Sequence, residues 1–218
     1  LAVVVGVLAG LGAYLFEMLL HGIKSGLIRW FPVDSAHILF LIYPAVGIIL
    51  ATLFVKYIVR DNISEGVTRV LYAMSRRNSR IARHNCWTSI VGGATTIGFG
   101  GSVGPEAPIV LTGAAIGSNI GRLARLNYKN TTLLLCCGAG AALAAIFKAP
   151  ITGVVFVLEI LMLDITAGSV IPLLIASITA TTMAFMLRGF DPILAVTLAP
   201  ADAFELWQIP LFILLGVL

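Results

Sequence analysis

Charge is scarce in this chain of 218 residues. It carries 14 Lys or Arg and 10 Asp or Glu, or 11% of its residues, where soluble globular chains carry about 25%. With 59% hydrophobic residues and a mean hydropathy of +1.04, that deficit excludes an ordinary water-soluble domain. Cysteine is scarce as well. Cys86, Cys136 and Cys137 sit in apolar surroundings with no histidine at ligand spacing, so they read as small buried residues and not as metal ligands. Adjacent Cys136 and Cys137 make a poor disulfide pair. His21, His37 and His84 lie near the edges of apolar runs, and the sequence gives none of them a role. Heptads, low-complexity tracts and short-period repeats are missing, which removes coiled coils and solenoids. No signal peptide is evident. No hydrolase or redox constellation is visible, so neither an enzyme nor a cofactor is expected.

What the chain has instead is long apolar runs. Leu1–Phe16, Ile38–Val55, Thr131–Phe147 and Ile165–Leu187 are free of charge, and a membrane-spanning helix needs about 20 apolar residues. The expected fold is all-α: a polytopic membrane protein in one transmembrane domain, residues 1–218. Helices are expected over about Leu1–Leu20 and Ile38–Val59, with His21–His37 between them as an interfacial loop. Arg69–Arg77 is too short to span and reads as a helix entering from one side only. A rising segment, Cys86–Gly104, precedes a helix from about Pro105 to Leu123, whose Gly113, Gly117 and Gly121 form one smooth packing face. Thr131–Leu143 rises next, a break at Phe147–Gly153 leads to Val154–Leu158, and a polar loop is expected over Arg188–Leu206. The chain starts at Leu1 and stops inside the apolar run Leu206–Leu218, which reads as a portion of a larger transporter.

Basic residues cluster in two loops. Lys56, Arg60, Arg69, Arg76, Arg77, Arg80 and Arg83 form one group, and Arg122, Arg125 and Lys129 form the other. The positive-inside rule places loops 56–83 and 122–129 in the cytoplasm. Nucleic acid is not an expected partner, because no soluble domain exists to present the patch. A bilayer is.

One carboxylate breaks this pattern. Between Asn85 and Gly121 the only charged residue is Glu106, inside Gly100-Gly101-Ser102-Val103-Gly104-Pro105-Glu106-Ala107-Pro108. An acid in an apolar span is costly and therefore a functional-site candidate. Glycines before it, prolines on both sides and a helix-compatible run after it build a helix N-terminus, where free backbone N–H groups face an anion. Burial favours the neutral acid and helix N–H groups favour the carboxylate, a balance that the sequence leaves open. The alternative role for Glu106 is a cap on a neighbouring helix.

Gly104-Pro105-Glu106-Ala107-Pro108, followed by Ile109–Gly117, resembles the G-x-E-x-P signature of the CLC chloride channel and transporter family. Phe147-Lys148-Ala149-Pro150-Ile151-Thr152-Gly153, continuing to Glu159, resembles the segment that follows it in that family, at a fitting spacing. The resemblance implies one inverted-repeat half of a CLC-type fold plus the start of the second, with tilted and re-entrant helices. It also implies a homodimer, a bacterial inner-membrane location and chloride or another small anion as the ligand. Glu106 then corresponds to the gating glutamate, with Gly104, Pro105, Ala107 and Pro108 in the anion-binding turn. The family's other anion-binding segment, typically G-S-G-I-P, is best matched by Ser64-Glu65-Gly66-Val67-Thr68.

Two departures stand out. Glu65 occupies the place of the central serine, and a carboxylate facing chloride there would repel it by roughly 4 kcal/mol at 4 Å. Either Glu65 points away or is neutralised, or the N–H groups of Gly66 and Val67 do the binding. Ser64 has two readings, an N-cap hydroxyl or an ion contact. At the inner proton position, Glu159 matches the first residue of an acidic pair, but Ile160 stands where proton-coupled members carry the proton glutamate. Asp164 is a possible substitute or a solvated helix end. Lys148 either raises the local anion concentration or snorkels to an interface. The resulting expectation is a chloride channel, voltage-gated in the family's terms, gated by Glu106. The alternatives are chloride/proton antiport and a non-conducting membrane subunit.

Overall fold

In the computed structural model, the described residues are 1–30, 39–60, 66–76, 78–162 and 166–189, with Pro210 and Leu214. Their regular structure is helical throughout. In chain order the helices are α1 (Ala2–Trp30), α2 (Leu39–Leu53), α3 (Gly66–Arg76), α4 (Asn85–Gly98), α5 (Glu106–Leu123), α6 (Tyr128–Phe147), α7 (Pro150–Ile160) and α8 (Ala167–Arg188). Four segments are long and apolar enough to cross a membrane: Ala2–Leu27, Ile42–Val59, Tyr128–Phe147 and Gly168–Arg188. The chain is an integral membrane protein.

Helix α6 lies at the centre. It is buried without interruption from Leu134 to Ile146, as expected of a helix apolar on every side. Small residues make this possible. A methyl group built on Gly113 would overlap the carbonyl of Gly138, and one on Gly117 would overlap the carbonyl of Leu134. Those pairings run in opposite directions along the two helices, so α5 and α6 are antiparallel with their backbones in contact. The face expected from Gly113, Gly117 and Gly121 is therefore a helix–helix contact. Gly153 of α7 meets Gly140 of α6 in the same way.

Helices α1 and α8 are parallel. Gly6 packs on Ala176 and Gly10 on Ala180, a small-x-x-x-small contact. Further along the same register, Glu17 pairs with Arg188. Their side chains are 12% and 21% exposed, so the pair sits between helices.

Several boundaries differ from the sequence expectation. The region expected to open an interfacial loop at His21 is helical as far as Trp30. No proline interrupts it, and the His21 ring and the Ser25 hydroxyl bond to the carbonyls of Glu17 and Gly22. At 29 residues and about 1.5 Å per residue, α1 exceeds the roughly 30 Å hydrocarbon core, which a tilt accommodates. The second apolar run loosens into a π-helix over Phe54–Val59 and ends at Arg60 in a left-handed conformation, φ 52°. Arg188 is the last residue of α8 and not the start of a loop. The break before α7 shrinks to Lys148 and Ala149.

Replacing Gly117 with Leu should force α5 off α6. The expected cost is about 1–3 kcal/mol or more, read as a lower melting temperature in detergent. Leu at Gly22, where nothing approaches, should leave the melting temperature close to that of the native protein.

Candidate anion site at two helix N-termini

Helices α3 and α5 begin against each other. A methyl group on Gly66, the first residue of α3, would overlap the carbonyl of Ala107 in the first turn of α5. Only glycine allows this approach. Helix geometry leaves the N–H groups of the first turn without intrahelical acceptors. In α3 those belong to Gly66, Val67 and Thr68. In α5 they belong to Glu106 and Ala107, since Pro108 has none and the N–H of Ile109 donates to Pro105 at 3.2 Å. Pro105 stands before the first turn with φ −73°, a value already suited to the helix.

Gly66, Gly104, Ala107 and Pro108 line one cavity of about 490 Å³. Four of the expected anion-site positions, drawn from segments about forty residues apart, thus meet at one place. Glu106 does not itself line the cavity, but its neighbours Gly104 and Ala107 do. Its carboxylate folds back over Gly104, where a methyl group would collide with it. The side chain is exposed, so the expected burial of this acid is not a property of the described residues. Ser64 and Glu65 lie outside the described residues, as does Asp164.

Other groups reach the cavity that the sequence did not single out. Lys56, in the π-helical turn, lines it, with Nζ 5.7 Å from the ring centre of Tyr57. Thr52 and Thr96 also line it, but their hydroxyls donate to carbonyls one turn back. Ser89 differs. It lines the cavity, is 1% exposed, and its Oγ has no hydrogen-bond partner among the described residues. A buried hydroxyl without a partner calls for an explanation, and a ligand in the cavity is one. Ser89 lies in an α4 segment whose Thr and Ser residues look alike in sequence, so no local signal distinguishes it.

The remaining candidates lie elsewhere. Glu159 and Ile160 end α7, both exposed, Ile160 at 42%. Neither lines the cavity. Lys148 makes a contact that its sequence position did not signal. Its Nζ donates to the carbonyl of Gly189 at 2.9 Å and lies 5.6 Å from the ring centre of Phe185, so it caps the C-terminal end of α8, where a cation suits the helix dipole. The three cysteines are unbridged, and no group of metal-ligating side chains occurs among the described residues.

Comparison with known proteins agrees with this geometry. The profile of the voltage gated chloride channel family matches residues 46–218. The H(+)/Cl(-) exchange transporter ClcA of Vibrio vulnificus is 30% identical over 99% of this chain and 48% of its own length. The crystal structure of a CLC-type fluoride/proton antiporter matches with a TM-score of 0.73 at 27% identity, covering 99% of this chain and 52% of that one. The structure of a slow cyanobacterial Cl-/H+ antiporter matches in fold with a TM-score of 0.76 at 24% identity, over 99% and 52%. The chain spans about half the length of the curated relatives it matches. Its helices thus correspond to about half of the fold seen in those antiporters, and the chain belongs to the CLC family of voltage gated chloride channels.

Proposed function

We propose that this chain forms half of a path by which chloride or another small anion crosses a membrane, gated by Glu106. The observation that carries this reading is the meeting of two helix N-termini on one cavity, with Glu106 in the first turn of the second helix. Both helices direct the positive ends of their dipoles there. An anion in the cavity would accept hydrogen bonds from the N–H groups of Gly66, Val67 and Ala107 and from the Ser89 hydroxyl, with Lys56 adding positive potential. Pro105 and Pro108 shape the turn, and Gly104 leaves room for the Glu106 side chain. Ser64 and Glu65 precede the α3 turn, where Ser64 would extend the binding segment and Glu65 would face away.

In its ionised form the Glu106 carboxylate is itself an anion tethered within reach of the same N–H groups. It competes with the permeant ion. Protonation removes the charge and the competition, so flux rises as pH falls. Ile160 supports a channel over a coupled carrier, because an isoleucine cannot hold a proton and Glu159 beside it is exposed. The second reading is anion/proton antiport, favoured by the names of the Vibrio relative and of the fluoride and chloride antiporter structures. Both readings include a homodimer in a bacterial inner membrane, loops 56–83 and 122–129 in the cytoplasm, and no enzymatic activity.

In liposomes containing the whole protein, Glu106→Gln should give an anion flux that stays high across the pH range, while native flux rises on acidification. An unchanged pH profile would remove Glu106 from the gate. Under an outward chloride gradient, proton movement should stay at the level of protein-free vesicles. Reproducible uphill proton uptake would establish antiport instead.

A further inference from the structure

Two basic loops that are far apart in sequence meet in the fold. The turn after α3 supplies Asn78 and Arg80, the last turn of α5 supplies Arg122, the turn after it supplies Arg125, and Tyr128 opens α6. These residues enclose a cavity of about 430 Å³, within the range of about 300–1,000 Å³ typical of small-ligand sites. Three arginines therefore line one space. No carboxylate neutralises them among the described residues: Glu17 pairs with Arg188, Glu106 lies at the opposite end of α5, and Glu159 is in the last turn of α7.

Hydrogen bonds tie the turns around this cavity into the fold. Ser118 of α5 is fully buried. Its Oγ accepts from the N–H of Ile81 at 3.0 Å and donates to the carbonyl of Ser79 at 2.6 Å. The hydroxyls of Ser79 and Thr132 are 2.6 Å apart, and the Tyr128 hydroxyl donates to the carbonyl of Met74 at 2.8 Å. Asn78, Ser79 and Arg125 hold left-handed backbone conformations, with φ of 49°, 57° and 52°, which side chains other than glycine seldom adopt. The arginines are thus presented from a rigid frame.

We propose that this cavity binds a phosphate-bearing anion through Arg80, Arg122 and Arg125. The planar guanidinium fork matches phosphate oxygens in pairs, and three like charges facing one cavity repel each other until such an anion enters. The site is separate from the Glu106 cavity. Helix α5, 18 residues long and so about 27 Å end to end, lies between them. The phosphate could come from an anionic lipid headgroup or from a soluble phosphate compound.

The test uses the whole protein in neutral detergent or nanodiscs, with two probes. Pyrophosphate is titrated calorimetrically, and phosphatidylglycerol in phosphatidylcholine nanodiscs is scored as bound lipid by native mass spectrometry. At least one probe should bind saturably, with affinity falling about tenfold or more in Arg122→Gln/Arg125→Gln and lost when Arg80→Gln is added. Arg122→Lys/Arg125→Lys, which keeps the charge but not the fork, should fall in between. Arg83→Gln/Lys129→Gln removes the same charge outside the cavity and should bind as the native protein does. Binding of pyrophosphate alone identifies a soluble ligand, and binding of phosphatidylglycerol alone identifies a headgroup. Failure of both probes on the native protein, or an equal loss in Arg83→Gln/Lys129→Gln, would overturn the proposal.

Discussion

A backbone N–H group with no acceptor is costly in an apolar environment, and the arrangement of this chain follows from that constraint. Along most of its length the helices satisfy their own backbone. The first turns of α3 and α5 cannot, because their N–H groups have no carbonyl one turn back to donate to. The fold brings these two turns together at one cavity, which Gly66 and Ala107 both line. Gly66 permits the approach, since any side chain there would strike the Ala107 carbonyl. The position of α5 in turn depends on its backbone contact with α6 at Gly113 and Gly117.

The two ends of α5 are chemically opposite. Glu106 occupies the first turn and Arg122 the last, each at the end where its charge suits the helix dipole. At the Glu106 end, the first turns of α3 and α5 meet at one cavity. At the Arg122 end, arginines from α5 and from the turns after α3 and α5 line a second cavity.

Much of this was legible in local patterns. Charge-free runs located α1, α2, α6 and α8, glycine spacing located the α5 face, and Pro105-Glu106 located a helix start. The misreadings share a cause. His21 and Lys24 look like loop residues, yet polar side chains sit readily on the exposed end of a long helix when no proline intervenes, and α1 continues to Trp30. The Glu17–Arg188 pair, the Lys148 contact with Gly189 and the Ser89 hydroxyl depend on which helices become neighbours, and no period or motif encodes that. The same holds for the arginine cavity, whose parts were visible as two separate basic loops and whose meeting required the fold.

The most direct test of the anion site is crystallographic. Crystals of the whole protein with Glu106→Ala, grown in bromide, would be measured at the bromine absorption edge. The expected result is an anomalous peak in the cavity between Gly66 and Ala107, within hydrogen-bond reach of their N–H groups and of Ser89 Oγ. An empty cavity, with bromide ordered elsewhere in the same crystals, would contradict the assignment of these helix N-termini as an anion site.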